Sequence, residues 1–297
     1  MLKETGTNFL VRSSRIFKSS LKLRIGIILF TLLVISVILE PAINNYRLGG
    51  HESTEIGLYD ALLPFTFEHP LGTDHYGRDV FALLLTGLKY SLLIGLMAGG
   101  LATFIAVSLA LIAGYKGGRL ETLVTTFTNA VLIIPLWPIL AIAVLFVERA
   151  DLMLIIVILA FFSWPWACRQ ITPQIASLKE RPYIELAKVS GLRDLEIMFK
   201  EILPNFLPYV IVGFSYAVAG AIMAETALRL VGLGPGAIPS LGLLINWAMY
   251  TGALAQQHYV IVLSPILLLV LIFVSLNFIN IGLDEVYNPR LKKITGL

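Results

Sequence analysis

The chain has 297 residues, 57% of them hydrophobic and only 14% charged, with a mean hydropathy of +0.84. Soluble domains run at roughly 45–50% apolar and about 25% charged, so this composition excludes an ordinary soluble domain and places the chain in a membrane. The single cysteine, Cys168, excludes an internal disulfide framework and a cysteine-rich metal centre, and a net charge of +3 does not point to nucleic acid as a partner.

Residues 1–24 form a basic tail with Lys3, Arg12, Arg15, Lys18, Lys22 and Arg24. The apolar run Ile25–Leu39 follows. Its length gives about 22 Å of helix at 1.5 Å per residue, so Leu21–Arg24 must extend it, with the basic heads snorkelling to the interface. A signal peptide has a similar outline, but no small-x-small cleavage site follows, only Leu39-Glu40-Pro41-Ala42. A retained first span is the expected reading, and residues 25–89 are read as that span plus an external loop. The loop closes on His69-Pro-Leu-Gly72-Thr-Asp74-His-Tyr-Gly77-Arg78-Asp79.

Residues 90–283 are read as a core of five further spans. The second runs from about Tyr90 to Ala113 and is rich in Gly and Ala, which lets helix backbones approach closely in a bundle interior. The third, about Leu120 to Val147, contains Pro135 and Pro138 and is expected to kink. The turn Glu148–Asp151 leads to the fourth, about Leu152 to Cys168, with Trp164 and Trp166 near its end. The fifth covers about Phe206 to Ala227. A Gly/Pro-containing stretch from Arg229 to His258 separates it from the last, about Tyr259 to Ile281. Residues 284–297 are a short tail.

Between the fourth and fifth spans lies a polar break, residues 181–204, that reads as two short helices around a bend. Pro182 suits a first helical position. Tyr183, Leu186, Ala187 and Ser190 share a face at helical spacing. Gly191 suits a helix stop, because glycine accepts the left-handed conformation cheaply. Asp194 can cap the second helix, with Glu196 favourable in its first turn. Leu195, Met198, Phe199 and Ile202 would form its apolar stripe facing the bundle, and Pro204 would end it. The first helix and the bend would dock outward.

Six spans put both ends of the chain on one side. The side holding both tails, the second–third loop and residues 169–204 carries 17 of the 22 Lys and Arg, against 5 on the other. The positive-inside rule then makes the tails and the 181–204 hairpin cytoplasmic. No Gly-x-x-x-x-Gly-Lys-Ser/Thr occurs, so the chain has no P-loop of its own.

Residues 185–204 resemble the signature loop of permease subunits in ABC importers: Glu-Ala-Ala, three residues, Gly, nine residues, Ile-x-Leu-Pro. Here the pattern stands as Glu185-Leu186-Ala187, Gly191 and Glu201-Ile202-Leu203-Pro204, departing at Leu186 and Glu201. The 69–79 stretch is similar to the segment before the second span in the peptide-importer branch of that family. So are Ala224-Glu225-Thr226-Ala227-Leu228 with Leu230-Val-Gly-Leu-Gly234, and Asn288-Pro289-Arg290-Leu291 near the end. The resemblance covers most of residues 69–291 and is to the second, C-type permease.

The resemblance implies an all-α integral membrane protein of about six transmembrane helices, of the type I importer kind, in a prokaryotic inner or plasma membrane. It implies half of a translocation pathway for di- or oligopeptides, although the branch also includes oligosaccharide and nickel importers. The implied partners are a homologous second permease, two cytosolic ABC ATPases that bind ATP–Mg, and an extracellular or periplasmic solute-binding protein. The permease itself would be no enzyme and hold no cofactor. Coupling would fall to Glu185, Ala187, Gly191, Arg193, Asp194, Leu203 and Pro204.

Several other residues invite sharper readings. Glu225 precedes Arg229 by four positions, the favourable order for a helical ion pair, and is read either as structural or as part of an outer vestibule or gate. Gly72, Asp74, Gly77, Arg78 and Asp79 are read as ordering the lead-in to the second span. His69, Asp74 and His75 fit no standard metal-ligand spacing, and no metal site is expected. Gly232-x-Gly234-x-x-Ala237 formally fits a dinucleotide fingerprint but follows a membrane helix rather than a strand. A secondary transporter would want ionisable residues at mid-span, and an intramembrane enzyme would want clustered Ser/His or paired Asp. The spans carry neither.

Overall fold

The computed structural model describes residues 20–145, 152–234 and 238–287. The basic tail before Ser20, the Glu148–Asp151 turn and the Asn288–Leu291 motif lie outside those residues. The described residues are helical and irregular, with one isolated antiparallel bridge, Thr73 to Asp79. The helices are α1 (Leu21–Leu48), α2 (Val80–Lys116), α3 (Gly118–Ile133), α4 (Leu136–Leu145), α5 (Leu152–Lys179), α6 (Pro182–Val189), α7 (Asp194–Glu196), α8 (Leu203–Leu230), α9 (Leu241–Tyr250) and α10 (Tyr259–Tyr287). A π-helical stretch, Ile197–Ile202, joins α7 to α8.

Among the described residues, five segments are long and apolar enough to cross a membrane: α1, α2, α5, the continuous run Asp194–Leu230, and α10. They correspond to five of the six expected spans, and each is longer than its apolar run alone indicates. The third expected span is not one kinked helix. It is two, α3 and α4, broken at Ile134-Pro135. Ile134 is extended (φ −72°, ψ 123°), the conformation that the ring of a following proline imposes. The chain contains a further short apolar helix, α9, whose 10 residues reach only about 15 Å.

The molecule divides into two compact units, one from Met1–Leu88 with Thr251–Leu297, the other Lys89–Tyr250. In the first unit α1 packs along α10. The backbones touch at two glycines: a Cβ on Gly26 would lie 2.7 Å from the Ile279 nitrogen, and one on Gly282 2.5 Å from Leu23 Cα. Ser20 caps α1 and also donates to Glu285 (2.6 Å), which pairs with Lys22 at 2.7 Å.

In the second unit α2 supplies the small-residue seam that its composition suggests. Ala98, Ala102, Ala106 and Ala110 are buried. Gly99 lies against the backbone of Val218 on α8, and Gly114 against Thr172 and Ile175 on α5. One core cluster joins α2, α5 and the 184–206 segment, through residues such as Leu111, Cys168, Ile175, Ile184, Ile197 and Phe206.

Candidate functional site

The hairpin is built by two stops and one continuation. Arg181 is extended (φ −78°, ψ 143°), and Pro182 opens α6 at a position whose N–H has no intrahelical use. Gly191 closes it with φ +83°. The Leu192 N–H reaches back to the Ala187 carbonyl (3.2 Å) and the Gly191 N–H to Lys188 (3.0 Å), so the left-handed glycine satisfies carbonyls that the helix end would leave bare.

The second helix departs from expectation in three ways. Asp194 is its first residue rather than its cap. Arg193 takes the cap position, with its N–H donated to the Glu196 carboxylate at 3.1 Å. Pro204 does not end it: the chain passes through the π-helical stretch straight into α8. The proline sits in the first turn of α8, where its missing N–H is harmless. The Leu203 N–H bonds to the Met198 carbonyl, five residues back. That extra residue per turn shifts the buried face to Ile197, Met198 and Ile202, and turns Leu195 and Phe199 outward.

The α6 face is also different. Ile184 and Ala187 are buried, while Leu186 (67% exposed) and Val189 (82%) point out with Tyr183. The hairpin therefore presents Leu186, Val189, Leu195 and Phe199 on its free side. Glu185, Lys188 and Arg193 stand exposed among them. Ala187 belongs to the seat rather than to the free face, Leu203 is half-buried and Pro204 is exposed. Tyr115, at the end of α2, holds the bend: its hydroxyl donates to Asp194 Oδ1 at 2.9 Å, and Lys188 Nζ lies 5.7 Å from its ring centroid. Sequence reasoning passed over Tyr115, which stands in the polar break after the second span with nothing local to mark its partner.

On α8, Glu225 and Arg229 form a buried pair, Nε to Oε1 at 2.8 Å, with both side chains 2% exposed. Ser240 donates to the same Oε1 (2.6 Å), and its own oxygen accepts the Leu243 N–H at 3.2 Å. One serine thus caps α9 and ties it to α8. Gly242 completes the seat: a Cβ there would meet Thr226 Cα at 2.7 Å. The Leu241 N–H goes to Ser91 Oγ at 3.0 Å. The pair thus lies buried where α9 packs on α8.

A cleft of about 550 Å³ opens among α3, α4, α5 and α8. Pro135, Phe162, Trp166, Tyr216 and the small residues Gly213 and Gly220 line it, and no lining residue carries a charge. A Cβ on either glycine would meet nothing within 4 Å.

In the first unit, the stretch before α2 is a tied loop. Asp74 accepts from Arg78 Nε (2.8 Å) and from the backbone N–H groups of Tyr76 and Arg78. Asp79 uses both oxygens: Oδ1 accepts the Ala82 N–H at 2.8 Å, while Oδ2 meets Arg47 (2.9 Å) and His69 (2.8 Å). Gly72 and Gly77 have φ of +73° and +69°, and a Cβ on them would strike the carbonyls of Leu63 and Tyr59. His69 is thus a hydrogen-bond partner of Asp79 within this loop. Burial, then the Asp79 charge, push the Tyr59 phenol above its ordinary pKa, against the opposing pull of Arg47. A second buried network escaped the sequence reading: Glu40 Oε1 accepts from Asn44 (3.1 Å) and from Thr86 (3.0 Å).

Residues 106–293 match the family described as binding-protein-dependent transport system inner membrane components. Three curated relatives are similar along most of the chain. The oligopeptide transport system permease protein OppC of Lactococcus lactis subsp. cremoris is 30% identical, over 88% of this chain and 89% of the relative. The dipeptide transport system permease protein DppC of Bacillus subtilis is 29% identical, over 89% and 79%. The oligopeptide permease OppC of Mycobacterium tuberculosis is 32% identical, over 80% and 81%.

Proposed function

The chain belongs to the binding-protein-dependent transport system inner membrane components, and from that premise we propose that it forms one half of the membrane pathway of an ATP-driven peptide importer. The names of its relatives support peptides as cargo. A second, homologous permease supplies the other half, two cytosolic ATPases bind ATP–Mg, and a solute-binding protein delivers cargo outside. The excess of Lys and Arg on one side supports cytoplasmic tails and a cytoplasmic hairpin in a prokaryotic cell membrane. Glu225 and Arg229 act in this reading by fixing α9 rather than by touching cargo. Gly72, Asp74, Gly77, Arg78 and Asp79 fix the start of α2.

The observation that carries the proposal is the unbroken run Asp194–Leu230. The exposed apolar face of the hairpin docks on an ATPase, with Glu185 and Arg193 at its rim. Movement of that ATPase on closing passes through the Asp194–Tyr115 tie and the π-helical stretch into α8 without a flexible joint. The same helix carries Gly213, Tyr216 and Gly220 into the cleft. A push at the hairpin therefore reaches the wall of the cleft by rigid-body motion, the element that alternating access needs. The cleft's uncharged lining suits cargo whose side chains vary.

Co-purification tests the proposal. Leu186→Asp with Val189→Asp places two carboxylates on the free face and leaves Ile184 and Ala187 in their seat. The doubly substituted chain should insert normally and lose its ATPase subunits on purification. If stoichiometric ATPases remain bound and hydrolysis still rises with cargo-loaded binding protein, the docking assignment fails.

A further inference from the structure

The first unit exposes aromatic side chains on a loop that its own hydrogen bonds hold still. Phe65 is 74% exposed and Phe67 fully so. Thr66, between them, is tied twice: its N–H donates to the His69 carbonyl (2.9 Å) and its hydroxyl accepts the His69 N–H (2.9 Å). Arg47, in the last turn of α1, donates to the Glu68 carbonyl at 2.5 Å. The turn bearing Phe65 and Phe67 is therefore held at the level where α1 ends.

That level can be placed against a bilayer. A hydrocarbon core of about 30 Å takes roughly 20 helical residues. Counted from the basic residues Lys22 and Arg24, it ends near Asn44. Tyr46 and Arg47 then stand in the headgroup layer, and so does the turn that Arg47 grips. The lateral position is also set. Of the five candidate spans α1 has the smallest buried share, 17% of its apolar window. One face packs on α10, and the other shows Ile28, Leu32, Ile35 and Leu39 in a helical stripe that Tyr46 continues. Tyr46 at the edge of that stripe, and Phe rings on a turn held at the same level, have the flat shape that the interfacial layer accepts.

We propose that Tyr46, Phe65 and Phe67 form an interfacial anchor, seating the loop after α1 in the headgroup–acyl boundary of the surrounding lipid. The occupant of this surface is lipid. The inference needs only that α1 crosses the membrane and is independent of which cargo or ATPase the transporter uses.

Nitroxide depth measurements test it. Cys168 is the one native cysteine, so Cys168→Ala provides the background for Phe65→Cys, Phe67→Cys and, as a water-facing reference, Glu55→Cys. The full chain, assembled with the subunits that co-purify with it, is spin-labelled in phosphatidylcholine–phosphatidylglycerol nanodiscs. Oxygen should relax the labels at 65 and 67 more than a water-soluble nickel chelate does, with the order reversed at 55. Nickel dominance at 67 overturns the proposal in favour of an aqueous loop. Low access to both reagents overturns it in favour of a protein partner. Should the cysteine-free background fail to fold, Phe67→Trp in the native chain replaces it. The added emission should be lost in brominated lipid, and loss to aqueous iodide alone overturns the proposal.

Discussion

Asp79 shows how much one side chain settles in this chain. It caps α2 with one oxygen and holds Arg47 and His69 with the other, while being almost fully buried. Asp79→Ala takes the carboxylate from the Arg47 guanidinium, which keeps its bond to the Glu68 carbonyl, and leaves the first turn of α2 uncapped. Breaking a buried pair from one side costs about 3–5 kcal/mol. The purified protein should therefore unfold several degrees lower, with Asp79→Asn falling in between because an amide oxygen can still cap. Equal melting temperatures for the three proteins would remove Asp79 from this role. Residues of this kind were partly legible. The Glu225–Arg229 pair is four apart on one helix, and spacing alone suggests it, whereas Asp74–Arg78 has the same spacing in a loop, where spacing carries no such signal. Tyr115–Asp194 and Glu40–Thr86 bridge 79 and 46 residues. Without the fold, nothing in the sequence brings those partners together.

At the scale of the element, the hairpin separates what periodicity can and cannot reveal. Gly191 was legible because a glycine after a short amphipathic run has one common use, and φ +83° is that use. The π-helical stretch was not legible. It reads as ordinary helix to any 3.6-residue count, and one extra residue per turn moved Leu195 and Phe199 from the expected buried stripe to the free face. The break at Ile134-Pro135 was read as a kink for a similar reason: hydropathy is continuous across it, and the interruption lies in the backbone alone. The bend itself gives a sharp test. Proline at 191 fixes φ near −65° and removes the N–H that bonds to Lys188, so the two arms cannot keep their angle. Gly191→Pro should insert and assemble yet lose the stimulation of ATP hydrolysis by cargo-loaded binding protein. Glu185→Lys should weaken the same stimulation by reversing charge at the docking rim. Alanine at 191 costs about 1–2 kcal/mol for the left-handed conformation but keeps the N–H, and should couple nearly as well as the parent. Full stimulation in the proline variant would mean that the bend does not carry the signal.

Across the whole second unit, the glycines fall into two groups with different duties, and composition cannot tell them apart. Gly95 sits against the Ile222 side chain, Gly99 against the Val218 backbone and Gly114 against the Thr172 carbonyl, where α2 touches α8 or α5, so an added methyl collides at once. Gly213 and Gly220 on α8 face open space in the cleft. If the first group holds the bundle together and the second shapes the pathway, bulk should have opposite consequences. Gly99→Val forces α2 away from Val218, opens the alanine seam behind it and should abolish accumulation of folded protein. Gly213→Val and Gly220→Val add volume where nothing is displaced and should leave the melting temperature of the purified chain unchanged. They narrow a space of about 550 Å³ on the helix that, in the proposed mechanism, moves with the hairpin. ATPase subunits should remain bound in both variants while cargo uptake in proteoliposomes falls, most for the bulkiest peptides. A uniform fall for small and large peptides would instead place these glycines at a contact with the second permease, because a packing defect there would slow every cargo alike.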